Sequence, residues 1–186
     1  SRRRGIGLRA DPGHVDVSAP TASHQPVMPT ETLDALAVRP GGTYLDATAG
    51  GGGHAALVLD RSAPGGSLLA LDRDRDAIAR SRVRLALFGA RVRFAHGSFA
   101  DLDVHADAAG FALFDGALFD LGFSSDQIAD AARGFSFQSE GPLDMRLDPS
   151  AGQTAAELVN SLPEADLADL LYDYGEERRS RRIARA

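Results

Sequence analysis

The chain has 186 residues, of which 44% are hydrophobic and 25% are charged, and its formal net charge at pH 7 is −6. It is long enough to bury one hydrophobic core, and the lack of cysteine excludes disulfides and thiolate metal sites within it. The excess of acidic residues argues against indiscriminate binding to nucleic acid, although local basic clusters could still bind RNA.

Residues 1–23 contain arginines but no apolar run behind them, so we predict a flexible arm rather than a secretory signal. The remaining chain contains no apolar stretch of membrane-spanning length, and we expect a cytoplasmic protein with no membrane partner.

The first strand is predicted at Thr43–Asp46, and the glycines Gly50 to Gly53 follow it closely. Glycine allows a tight turn and a close approach of the backbone to a ligand. A helix predicted from His54 to Leu59 would direct its free N–H groups at that ligand. This pattern of strand, glycine loop and helix is typical of a site for an adenosine-containing cofactor.

The second strand is predicted at Ser67–Leu71, and Asp72 stands at its carboxyl end, about twenty residues past the loop, where a carboxylate can bind both ribose hydroxyls. Asp46 ends the first strand. Its carboxylate would repel a pyrophosphate but suits a ligand that carries an amino group and a sulfonium. We therefore predict S-adenosylmethionine as the cofactor, bound by Asp46, Asp72 and the loop glycines Gly50, Gly52 and Gly53.

Two alternatives remain for this unit. The spacing of Gly50, Gly52 and Ala55 also fits the looser dinucleotide fingerprint, so a nucleotide-binding oxidoreductase is the rival function. A plain tight turn with Asp46 as a helix cap is the structural alternative, but it leaves Asp72 unexplained.

A helix capped by Asp74 and Asp76 is predicted to run to about Phe88, and a third strand is predicted at Val92–Ala95. Phe99 follows the carboxyl end of this strand. Ligands of doubly wound sheets lie beyond the carboxyl ends of the strands. Phe99 is therefore predicted to lie against an adenine ring, with an ordinary place in the core as the alternative.

The fourth strand is predicted at Gly116–Phe119, and Asp120 follows it. A carboxylate that accepts N–H bonds from a conjugated exocyclic amine makes the lone pair of that amine more available for attack. The segment Asp120–Phe123 looks like a version, without prolines, of the Asp-Pro-Pro-aromatic motif of amino-methyltransferases. We predict that Asp120 is catalytic and that Phe123 stacks on the target base, although Asp120 could only orient the cofactor.

Arginine, glycine and aromatic residues are mixed in the next segment, as in loops that stack bases and contact phosphates. We predict RNA contacts by Arg133 and Arg146. The apolar members are expected to anchor the loop in the core: Phe135, Phe137, Leu143 and Met145.

Helices separated by Pro163 are predicted within residues 153–174. Beyond them, an arginine cluster could be a solvated helix face or a contact to RNA: Arg178, Arg179, Arg181, Arg182 and Arg185. The five histidines lack the spacing of metal ligands, and we predict no metal site.

Seven segments resemble, in order, those of the ribosomal RNA small-subunit methyltransferase H family, also called MraW. The resemblance starts at His24 and reaches the last residue. The segments are HQPVM from His24, YLDATAGGGGH from Tyr44, LDRD from Leu71, FDLGFSSDQ from Phe119, RGFSF from Arg133, GPLDMRLDP from Gly141 and YGEER from Tyr174.

This resemblance implies methyl transfer from S-adenosylmethionine to N4 of a cytidine in the decoding region of 16S rRNA in the small ribosomal subunit. The chain departs from the family pattern at Phe123, where many members have a smaller aliphatic residue, and at Asp126, where proline is common. Family members are also longer than this chain. A truncated cofactor-binding chain without turnover is thus a second hypothesis, and a homodimer stays open. The implied cofactor contacts are Gly52, Gly53, His54, Asp72, Phe99, Asp120 and Gln127.

The fold implied is α/β: a Rossmann-like class I methyltransferase sheet, parallel and incomplete, with four strands in the order 3-2-1-4 and the fourth at an apolar edge. We assign residues 24–140 to the cofactor-binding domain. Residues 141–186 are expected to begin a helical insert that recognises the substrate.

Overall fold

The computed structural model describes residues 26–186, so the predicted arm and His24 lie outside the described residues. Four parallel strands form one sheet in the order β3-β2-β1-β4, which confirms the predicted α/β class and strand order. The strands are β1 (Thr43–Asp46), β2 (Ser67–Asp72), β3 (Val92–His96) and β4 (Gly116–Leu118).

Helices follow the strands in the alternating pattern of a doubly wound sheet. Short 3-10 turns occur at Ala86–Arg91, Phe99–Asp101 and Ala131–Arg133. The α-helices are α1 (Pro29–Ala35), α2 (Gly53–Arg61), α3 (Arg75–Arg84), α4 (Leu102–Ala109), α5 (Ser125–Ala129), α6 (Ala155–Ser161), α7 (Glu164–Asp173) and α8 (Ser180–Arg185).

The core has two parts, one on each face of the sheet. Tyr44 and Leu68 point into the first, to which α1 and α2 contribute, whereas Leu45 and Leu69 point into the second, to which α4 contributes. Successive residues of a strand face opposite sides. Because both sides of β1 and β2 are buried, their sequences are apolar almost without alternation, as in other parallel sheets.

Several predicted boundaries differ from the structure. Helix α2 starts one residue earlier than predicted, and β2 and β3 each end one residue later. Helix α3 ends at Arg84 rather than near Phe88, and the chain continues as a 3-10 turn that Gly89 interrupts at φ 56°. Asp74 caps this helix, whereas Asp76 donates its N–H to the Asp74 carboxylate from inside the helix. Strand β4 ends one residue early, at Leu118.

The C-terminal helices break at Pro163, as predicted, and α7 begins directly after it. A capping box between Thr154 and Glu157 starts α6. Helices α7 and α8 pack against each other and bury Leu167 and Ala168. Among residues 26–186, no helix is both long and apolar enough to cross a membrane.

Candidate functional site

The glycine loop lies between β1 and α2, at the carboxyl ends of the strands. Ala49 donates its N–H to the Leu71 carbonyl (3.0 Å), which holds the loop against β2. Gly52 caps α2 at φ 78°, a left-handed conformation that favours glycine, and a Cβ there would lie 3.2 Å from Leu85. The first turn of α2 is thereby left with its N–H groups directed at the loop.

Asp72 binds the loop and the next turn at the same time. One carboxylate oxygen accepts the Gly50 N–H (2.8 Å) and the other accepts the Asp74 N–H (2.8 Å). Burial raises the pKa of Asp72. Each oxygen has a second lone pair, so the carboxylate can still accept a hydroxyl of a ligand; the predicted ribose contact remains a prediction.

Asp46 is almost completely buried, with 2% of its surface exposed, and accepts the Thr48 N–H at 3.2 Å. Its pKa is raised from 3.8 to about 7, mainly by burial and to a smaller extent by the nearby carboxylates of Asp72 and Asp120. Three acidic side chains therefore surround the glycine loop at the ends of β1, β2 and β4. Their combined field favours a cation.

His54 lies in the first turn of α2 and is buried. Its Nε2 lies 2.8 Å from the Val27 carbonyl. Since a carbonyl only accepts, Nε2 carries the hydrogen. Its Nδ1 lies 3.8 Å from Oδ2 of Asp120, so the ring faces the carboxylate predicted to be catalytic.

Asp120 is exposed at the end of β4, and its backbone N–H donates to the Thr48 hydroxyl at 2.8 Å. The hydroxyl thus fixes the second residue after the strand. Thr48 was not predicted from the sequence as a site residue. The signal for it was its position two residues after Asp46, where the end of β1 faces the end of the neighbouring strand.

Phe99 is 46% exposed and begins the 3-10 turn after β3. Its ring meets that of Phe119 edge to face, with centroids 5.7 Å apart and planes at 87°. Phe119, predicted as the last residue of the fourth strand, was not recognised as a site residue. The two exposed rings give the strand ends an apolar surface suited to an aromatic base.

Phe123 packs on Phe135, with centroids 4.5 Å apart and planes tilted by 40°. Both rings stand on the segment that follows Asp120. Phe123 is 55% exposed, so one part of the ring remains free. Its predicted stacking on a base remains a prediction.

Arg133 and Gln127 are both buried, and their polar atoms are used inside the chain. Arg133 donates to the carboxylates of Asp74 (2.9 Å) and Asp76 (2.7 Å), with 7% of its surface exposed. A phosphate could approach this guanidinium only by breaking those ion pairs, so the predicted RNA contact by Arg133 would have to compete with them and remains a prediction. Gln127 donates to Asp74 (2.9 Å) and accepts the Ser124 N–H (2.9 Å), which fixes the loop and leaves its predicted cofactor contact untested.

Arg146 makes a two-pronged pair with Asp144, at 2.8 and 2.7 Å. The hydrogen bonds from Arg146 lower the pKa of Asp144 to about 2. Its predicted RNA contact would have to compete with this pair. The expected anchoring of Phe137 in the core is wrong, because its side chain is 98% exposed; Leu143 and Met145 are also about half exposed.

Metal ligands are not grouped in the part of the chain that the structure describes. Within residues 26–186, no three histidine, aspartate or glutamate side chains are placed to hold one ion.

The MraW methylase family model matches residues 21–186 of the chain. A relative in Pelobacter propionicus is 54% identical over 87% of this chain and 52% of its own length. A relative in Syntrophobacter fumaroxidans is 53% identical over 90% of this chain and 52% of its own length. A relative in Thermomicrobium roseum is 51% identical over 88% of this chain and 50% of its own length. All three are called ribosomal RNA small subunit methyltransferase H, and the chain spans about half of their length.

Proposed function

The chain belongs to the MraW methylase family, and on that basis we propose that it is part of an S-adenosylmethionine-dependent methyltransferase of small-subunit ribosomal RNA. The finer proposal is methylation at N4 of a cytidine in the decoding region of 16S rRNA. Relatives at 51–54% identity carry the name of that enzyme class. The observation that carries the proposal is the gathering of Asp46, Asp72 and Asp120 around one glycine loop.

The charge of the site favours this cofactor over the rival dinucleotide. The sulfonium and amino groups of S-adenosylmethionine are cationic, whereas NAD would place its pyrophosphate beside three carboxylates. In this proposal Asp72 would bind the ribose, and the paired rings of Phe99 and Phe119 would contact the adenine. Asp46 lies beneath the loop, where it stabilises positive charge through the field rather than by exposed contact.

The residues of the chain would then orient a base amine. The cofactor supplies an electrophilic methyl group on sulfur. Asp120, exposed at the end of β4, can accept an N–H bond from the amine, which makes the nitrogen lone pair available for in-line attack. The N–C bond forms as the S–C bond breaks, and the amine then loses its proton to Asp120 or to solvent.

Thr48 supports Asp120 in this role, and the His54 ring lies beside the carboxylate. The imidazole is fixed by its bond to Val27, so its Nδ1 stays on the side of the Asp120 carboxylate. The Thr48 hydroxyl fixes the Asp120 backbone. Phe123 stands three residues further on, where its partly free ring can stack on the same base.

The first test is calorimetric titration of the chain with S-adenosylmethionine, with NAD as the competing ligand. We expect binding of S-adenosylmethionine only, and its loss in Asp72→Ala. Asp60→Ala, an exposed carboxylate on α2, is the matched control and should bind normally. Thermal unfolding of each variant checks that the fold is retained.

Turnover is tested separately by transfer of a radioactive methyl group to small ribosomal subunits that lack the modification. Incorporation that is lost in Asp120→Asn supports the enzyme. Cofactor binding without incorporation would support the second hypothesis, a chain that binds the cofactor without turnover. Binding of NAD in place of S-adenosylmethionine would refute the proposed function.

A further inference from the structure

A group of hydrogen-bonded side chains, here called the Asp74 junction, lies beside the candidate cofactor site: the buried Asp74, Gln127 and Arg133, together with the exposed Asp76. The Asp74 carboxylate accepts three donors, each at 2.9 Å: the Asp76 N–H, the Gln127 amide and the Arg133 guanidinium. Burial alone would raise the pKa of Asp74, but these hydrogen bonds lower it. The carboxylate is therefore charged and fully paired.

Arg133 connects three segments that are distant in sequence. Its guanidinium binds the start of α3 through Asp74 and Asp76, and also donates to the Leu147 carbonyl at 3.1 Å. Its own carbonyl accepts the Met145 N–H at 2.9 Å. Residues 124–134 and 141–148 are thereby held together against the turn that leaves β2.

Two glycines allow these segments to cross closely. Gly134 has φ 68°, and a Cβ on it would collide with the Pro142 carbonyl oxygen. A Cβ on Gly141 would collide with the Ala131 carbonyl oxygen. The crossing thus leaves no room for side chains and fixes the direction of the chain on either side of Arg133.

The junction and the cofactor site share one short turn. Asp74 donates its N–H to the carboxylate of Asp72, and the other oxygen of Asp72 accepts the Gly50 N–H. On the far side, Phe135 stands two residues after Arg133 and packs on Phe123. A continuous path of hydrogen bonds and packing therefore joins the glycine loop to the aromatic pair.

We propose that Arg133 and Gln127 are positioning residues, which couple occupancy of the cofactor site to the order of the segment that carries Phe123 and Phe135. A ligand that fixes Asp72 also fixes Asp74, and through it the guanidinium and the amide. The aromatic pair is then ordered where the base is to stack. The identity of the ligand and of the base rests on the proposed function; the coupling itself rests on the contacts.

Hydrogen exchange of the 186-residue chain, with and without S-adenosylmethionine, tests the coupling. In the wild type we expect the cofactor to slow exchange in residues 50–53 and in residues 124–134. In Arg133→Gln, protection of 124–134 is lost while that of 50–53 remains, and Kd rises roughly fivefold to 150-fold, the usual range for coupling between two sites. Arg133→Lys, which keeps the charge, should restore part of the coupling.

Asp76→Asn is the matched control, because it removes only the exposed partner of the same guanidinium and leaves Asp74 in place. We expect it to retain the coupling. Wild-type Kd and wild-type protection of 124–134 in Arg133→Gln would overturn the proposal. Faster exchange throughout β1 and β2 would also overturn it, since that indicates general loss of stability.

Failure of the proposed function gives a different result. If the wild type binds no S-adenosylmethionine, the assigned cofactor is wrong, but the ligand-free comparison still tests the junction. Faster exchange of Arg133→Gln confined to residues 124–134 would then support the positioning role. Unchanged exchange there would refute it.

Discussion

Replacement of Asp46 by asparagine tests the most unusual electrostatic feature of the chain. Burial raises the pKa of this carboxyl from 3.8 to about 7, so the folded protein holds a proton that the unfolded chain releases between these values. The folded state binds more protons in that window, and the free energy of unfolding therefore falls as the pH rises. The stability is fully present below the unfolded pKa and is lost as the pH rises to the folded pKa.

The size of the effect follows from the pKa. A change of one in pKa corresponds to about 1.4 kcal/mol, so a rise from 3.8 to about 7 costs roughly 4 kcal/mol at pH 8 compared with pH 4. Asparagine cannot ionise, and its carbonyl oxygen can still accept the Thr48 N–H. Asp46→Asn should therefore be similar to the wild type at low pH and more stable at pH 8 by about 2–4 kcal/mol.

Urea denaturation followed by circular dichroism at pH 5, 6, 7 and 8 measures this difference. Other titrating groups are common to both proteins and cancel in the comparison. Asp60→Asn, exposed on α2, controls for the loss of one formal charge. A stability difference between Asp46→Asn and the wild type that is equal at pH 5 and pH 8 would refute the reasoning.

The same substitution should weaken binding of a cation. The ionised Asp46 carboxylate favours a sulfonium, so we expect the affinity for S-adenosylmethionine at pH 8 to fall about tenfold in the variant, despite its greater stability. Calorimetry at that pH measures the change. Equal affinity would show that Asp46 does not act on the cofactor.

Two further substitutions have matched controls. Gly52→Ala should lower the free energy of unfolding by more than about 1 kcal/mol, because the left-handed φ disfavours alanine. Its control is Gly51→Ala, whose Cβ would meet nothing within 4 Å and which should change the free energy of unfolding little. Equal urea midpoints for the two variants would contradict this reasoning. Phe99→Ala should raise the Kd for S-adenosylmethionine about fivefold to tenfold with little loss of stability. Its control is replacement of Phe137, which is 98% exposed and should leave the Kd unchanged. The same Kd for both variants in calorimetry would exclude an adenine contact by Phe99.

Local patterns were sufficient to predict the sheet and the acidic strand ends. The strand Thr43–Asp46, the glycine loop and the carboxylate at Asp72 are encoded by neighbouring residues, so the sequence predicts them without tertiary information. The end of α3 was not predictable in this way, because the leucine and alanine residues after Arg84 also favour a helix, whereas the structure forms a 3-10 turn there.

Arg133 shows why contacts between distant residues of the site could not be predicted from the sequence. Arg133 stands among glycine and aromatic residues, a composition that also fits a loop contacting RNA. Its carboxylate partners are 57 and 59 residues away, and only the fold brings them together. Two nearby glycines, Gly134 and Gly141, permit the close crossing. They were the signal in the sequence for a structural role of Arg133.

The open side of β4 has a consequence for work with this protein. Among residues 26–186, β4 hydrogen-bonds only to β1, it is three residues long, and Leu121 beyond it is 71% exposed. Its outer N–H and C=O groups are a template for one more strand. A second polypeptide that carries such a strand could be expressed separately and pair with β4. The larger size of the resulting complex would show that the edge of the sheet is occupied.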